Sequence, residues 1–101
     1  MNVVASKVRL IESTAPNSLL VNATLDKLIG MIADDYRHKL SGYKRTLSEF
    51  ERQHGMTTAE FQRGFDSGEL GDAPEWFDWD GYAALADEAQ KKLTELERGG
   101  A

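Results

Sequence analysis

The longest apolar pattern in the chain begins just after Thr24. Leu25, Ile29, Ile32, Tyr36, Leu40, Tyr43, Leu47 and Phe50 follow one another at steps of three or four residues. That spacing matches ~3.6 residues per helical turn and places all eight on one stripe. Charged side chains such as Asp26, Lys27, Arg37, Lys44 and Glu51 fill the other faces. Thr24 is the predicted N-cap, and Gly55 fits the left-handed position after the last turn. The pattern predicts a helix of about 30 residues, roughly 45 Å long. Ser41-Gly42 is its weak point, where a kink or break competes with continuity, because Gly costs ~1 kcal/mol against Ala in a helix.

Two further helices follow. Thr57-Thr58-Ala59-Glu60 has the form of a capping box and opens a short helix that carries Phe61 and Phe65 on one face. Asp66-Ser67-Gly68 ends it, with Gly68 in the left-handed position. A third helix begins near Asp72 or Ala73, with Pro74 in its first turn and Asp72 and Glu75 as a cap-like pair. Within it Trp79, Tyr82, Ala86, Ala89, Leu93 and Leu96 alternate steps of three and four, the seven-residue repeat of a helix-pairing seam. The long and third helices are predicted to pack as an antiparallel helical hairpin, with the short helix capping the turn. Met31, Leu28, Leu85 and Trp76 fall off the stripes and stay partly exposed in a monomer, which favours self-association or a partner.

Residues 1–23 read less directly. Lys7-Val8-Arg9-Leu10 alternates at the period of a strand, Pro16-Asn17 signals a turn, and Leu19-Leu20-Val21 is a short apolar run. They fit either a small β-hairpin or an extended arm that orders against a partner. The expected class is mainly α: residues 1–23 as this arm or hairpin, 24–98 as the helical hairpin domain, and 99–101 as a disordered tail.

Composition narrows the chemistry. The chain has 101 residues, no cysteine, and 12 basic against 17 acidic side chains, a net charge of −5. One domain is the limit at this length. The lack of cysteine removes disulfides and thiolate metal sites. No run approaches the ~20 apolar residues of a membrane span. The first ten residues lack the apolar core of a secretory signal, so a cytoplasmic setting is expected. The charge is uneven. Residues 1–54 sum to +2, and residues 55–101 to −7. An overall acidic chain is a poor general nucleic-acid binder.

Candidate catalytic and metal sites are weak. His38 follows Asp34 and Asp35 at spacings that suit a metal pair on one helix face. No second His stands at the i+4 spacing of a zinc helix, so a solvated charged face is the reading taken. Asp78-Trp79-Asp80-Gly81 starts like a calcium loop but lacks the third ligand and the terminal Glu. There is no G-x-S-x-G turn and no phosphate loop. No enzyme activity, metal or cofactor is expected. The dense feature is Glu69, Asp72, Glu75, Asp78 and Asp80 interleaved with Trp76, Phe77 and Trp79. Aromatics ringed by charge have the composition of a protein-binding hot spot, or else are core.

The run Gly55-Met56-Thr57-Thr58-Ala59-Glu60-Phe61, through Gly68-Glu69-Leu70-Gly71-Asp72 to Trp76-Phe77-Asp78-Trp79, resembles a segment of small bacterial and archaeal proteins. In those a long charged helix leads to a G-M-[ST]-x-x-E-F helix, a G-E-L-G-D turn and an aromatic W-F-x-W helix. The similarity spans residues 25–98. Some such proteins are assigned as antitoxins of type II toxin–antitoxin pairs. The resemblance implies a protein that binds and masks a toxin.

The leading expectation is therefore a non-enzymatic, antitoxin-like protein-interaction module. Trp76, Phe77 and Trp79 would supply contact area, while Glu69, Asp72, Asp78 and Asp80 would steer a basic protein partner. An alternative is a self-associating structural or adaptor bundle, a homodimer with those aromatics as its core. A third reading is a DNA-binding regulator that uses Lys7 and Arg9 on an N-terminal strand paired across a dimer.

Overall fold

The structure is a computed structural model that describes residues 2–99. Its elements are α1 (Val3–Thr14), α2 (Ser18–His54), α3 (Thr58–Asp66) and α4 (Pro74–Glu97). Among the described residues there is no strand.

The N-terminal β-hairpin and the extended arm are both replaced by helix. The Asn2 side chain caps α1 by accepting from the Ala5 N–H at 3.0 Å. Val4, Val8 and Ile11 recur at helical spacing, so the four-residue alternation around Val8 fits a helix equally well. Ala15, held extended ahead of Pro16, stops the helix. Asn17 then accepts from the Leu19 and Leu20 N–H groups at 3.0 and 3.3 Å. It caps α2 seven residues earlier than the expected cap at Thr24. The Thr24 hydroxyl instead donates to the Leu20 carbonyl inside the helix. Local capping settles the outcome, because two short strands need a further layer to pack against.

α2 runs 37 residues and passes through Ser41-Gly42 without a break. It ends where expected, at Gly55, whose φ of 63° is left-handed and whose N–H donates to the Glu51 carbonyl. α3 carries the capping box in full. The Thr57 hydroxyl accepts from the Glu60 N–H at 3.1 Å, and Glu60 accepts from the Thr57 N–H at 3.2 Å. α4 starts at Pro74 with Ala73 as its cap residue and no side-chain cap bond, so the expected Asp72–Glu75 pair does not form. Gly99 closes it, donating to the Leu96 carbonyl at 3.0 Å. Of the expected tail, Gly100 and Ala101 lie outside the described residues, as does Met1.

The core is the seam between α2 and α4. Ala33 and Leu40 bury against Ala86, Ala89 and Leu93, flanked by Tyr36, Tyr43, Leu47 and Leu96. Late residues of α2 meet early residues of α4, and the reverse. Phe50 faces Trp79, Tyr43 faces Tyr82, and Arg37 reaches Glu97. Small alanines let the two backbones approach. Ala33 and Ala83 are buried although neither belonged to the stripes read from larger residues.

The result is long and thin. It measures 61 × 27 × 19 Å, with a radius of gyration of 19.9 Å. A closed domain of this length would have a radius of about 13 Å. No helix among the described residues is long and apolar enough to cross a membrane.

The capping box makes a specific demand. Thr57→Ala is expected to lower unfolding free energy by about 1 kcal/mol in urea titrations. Bonds from the Thr57 backbone and then its hydroxyl hold the Glu60 carboxyl below its ordinary value of 4.5. A depressed acid stabilises the fold above its unfolded value and loses that contribution as pH falls through the folded one. Glu60→Ala should therefore flatten the acid limb of the stability–pH curve.

Candidate functional site

The end of the molecule where α2, α3 and α4 meet holds most of the aromatic side chains. The Trp79 ring of α4 lies between Phe50 of α2 and Phe61 of α3. The centroid distances are 5.4 and 4.1 Å, and the planes differ by only 9° and 4°. Trp79 and Phe61 are both 0% exposed. A buried indole N–H requires an acceptor. Trp79 Nε1 donates to Thr58 Oγ1 at 3.1 Å, and the Thr58 N–H donates to Glu51 Oε2 at 2.7 Å. Thr58 thus links α4 to α2 through the start of α3.

A second layer surrounds this sandwich. His54 stacks on Trp79 at 5.5 Å and meets Trp76 edge-on at 4.8 Å. Its Nε2 is sealed from solvent 3.2 Å from Glu75 Oε2, at an angle that makes no hydrogen bond. Trp76 Nε1 donates to the Leu70 carbonyl at 3.0 Å and so ties the α3–α4 loop to α4. The stack also runs outward. Phe61 lies on Phe65 at 5.4 Å, and Phe65 meets Phe77 edge-on at 5.3 Å. Phe77, 58% exposed, is where the ladder reaches solvent.

The seven residues picked from sequence therefore separate. Trp79 is interior and offers no surface to any partner, because the α4 seam turns it toward α2. For the same reason Trp79 cannot form the core of a homodimer: its own chain already covers it. Trp76 is half-buried with its N–H engaged. Phe77 is exposed, as are Glu69, Asp72 and Asp78, while Asp80 is half-buried. Among the described residues none of these four carboxylates has an ion-pair partner. Phe50 and Phe65 are the contributors that sequence reasoning did not assign to the cluster. The periodicity puts Phe50 on the α2 stripe, and the four-residue spacing puts Phe65 on one face with Phe61.

The other candidates resolve simply. Asp34 pairs with Arg37 at 2.6 Å and Asp35 with Lys39 at 3.1 Å, so both acids beside His38 hold cations. The hydrogen bond and charge of Asp35 raise the Lys39 ammonium above its ordinary value. Among the described residues no three His, Asp or Glu side chains gather as a metal site. Lys7 and Arg9 lie on α1, so the strand needed for the DNA-binding reading is not formed.

Comparison with protein-family models, curated proteins and solved structures found no match. The resemblance over residues 25–98 rests on its motif, at residues 55–79, alone.

Trp79 and Phe77 should respond in opposite ways to truncation. Trp79→Ala is expected to cost about 3–5 kcal/mol of stability. Phe77→Ser should shift it by less than about 1 kcal/mol. Equal losses in paired denaturation curves would contradict the burial pattern.

Proposed function

We propose that the chain is a small non-enzymatic, antitoxin-like interaction module, built as an antiparallel helical hairpin and acting in the cytoplasm. Its partner is a basic protein, which it masks. The observation that carries this reading is Phe77, standing 58% exposed at the end of a packed aromatic ladder, in a segment where Glu69, Asp72, Asp78 and Asp80 have no ion-pair partner among the described residues. A large apolar ring on a rigid base loses little entropy on docking and suits the centre of a hot spot. Glu69, Asp72, Asp78 and Asp80 supply the steering charge, and a basic face that binds RNA offers the complement. Trp76 contributes its outer edge. Trp79 acts from beneath, by fixing the direction of α4.

The test is co-purification with the product of the adjacent open reading frame, followed by titration. Reversing Asp72, Asp78 and Asp80 to Lys should slow association and weaken binding, most strongly at low salt. Phe77→Ala should raise the dissociation constant by a factor corresponding to about 2 kcal/mol. Affinity unchanged by both variants overturns the proposal.

A further inference from the structure

The two main helices differ in length. α2 has 37 residues and α4 has 24, so α2 outreaches its partner by about 20 Å at ~1.5 Å per residue. α4 ends where Glu97 meets Arg37 and where Leu96 shares a surface hollow with Ile29 and Ile32. From Ser18 to Leu28 the apolar stripe continues without α4 to cover it. α1 folds back beside this overhang but buries no residue of its own. Between them lies an open groove of about 400 Å³, lined mainly by Val8, Ile11, Leu20, Val21, Leu25 and Leu28.

This end carries most of the unpaired apolar surface. Among the described residues, 11 of the 14 exposed large apolar side chains fall within residues 3–32. The accessible surface of the chain is 7632 Å². A compact monomer of its 11.3 kDa would expose about 5,700 Å². This excess is spread over the whole elongated chain, and it is larger than the roughly 800 Å² that each partner contributes to a stable interface. Charge selects the occupant. Residues 1–32 hold Lys7, Arg9 and Lys27 against Glu12 and Asp26, a balance of +1, while residues 33–101 sum to −6. The overhang is the part of this acidic chain that a second copy can approach without like-charge repulsion, and its two signs allow self-complementary pairing.

We infer that a second copy of the chain covers the α1–α2 overhang in a two-fold, isologous contact. Each copy contributes α1 and the first three turns of α2, and the four segments close one helical bundle. The acidic aromatic ends then point away from each other, free for separate partners. This assignment does not depend on the identity of any such partner.

Sedimentation velocity on the full chain tests it. The wild type is expected to sediment at twice the 11.3 kDa chain mass. Leu20→Glu and Leu28→Glu should each raise the dimer dissociation constant at least about tenfold, since each places a charge where an apolar side chain is buried. Phe77→Glu, at the opposite end, should leave the dimer intact. Circular dichroism of the variants should keep the helical signal of the α2–α4 seam, which separates lost association from lost folding. A wild type that stays monomeric through the micromolar range overturns the inference. So does a dimer that survives both leucine variants or dissociates with Phe77→Glu. A monomer that instead co-sediments with phosphatidylglycerol vesicles would assign the face to a lipid surface and overturn it equally.

Discussion

Trp79 sits where three helices converge, and its burial constrains the rest of the structure. α3 is only nine residues long, too short to hold a helical shape by itself. It is kept in place by Phe61 lying flat on the Trp79 ring and by its capping box. The Trp79 N–H reaches Thr58, and the Thr58 backbone reaches Glu51 on α2. One indole therefore stacks on two helices and hydrogen-bonds to the start of one of them. Such stacked or offset pairs contribute about 0.5–1.5 kcal/mol each beyond their area. The register of α4 against α2 that stacks Phe50 on Trp79 is the one that also packs Leu40 with Ala86, Ala89 and Leu93.

The same constraint shapes the surface. With Trp79 turned inward, residues three before it and two before it point elsewhere around α4 at about 100° per residue. Trp76 is left at the margin, and Phe77 is left outside against Phe65. Exposed aromatic area and unpaired acids thus sit on a base that is already well packed. If this surface binds the proposed partner, it needs little rearrangement to do so.

Much of this was legible in the residues. Gly55, Gly68 and the Thr57–Glu60 pair mark their boundaries by chemistry that acts within a few residues, so no tertiary knowledge was needed. The stripe from Tyr36 to Phe50 and the seam from Trp79 to Leu96 both reported the interface they form. Ala33 and Ala83 stand outside the sequence pattern because a small side chain gives a weak periodic signal, although it permits the closest approach. In the N-terminal region the four-residue alternation at Lys7–Leu10 is too short to separate the period of a strand from that of a helix. Asn2 and Asn17 were the deciding signals, each capping a helix. The role of the aromatic cluster was not decidable from spacing: adjacent helical positions point in different directions, and only the packing of α3 decides which ring is enclosed.

The unequal lengths of α2 and α4 also make one continuous helix thermodynamically uneven. From Ala33 onward α2 is packed against α4, so its backbone hydrogen bonds there are expected to open with the seam. From Ser18 to Leu28 they are shielded by little more than α1, itself a 12-residue helix with no buried side chain. Amide exchange there is expected to proceed through local fraying of lower free energy than in the seam. An occupant of that face would therefore contribute its binding energy directly to the folding of the end it covers.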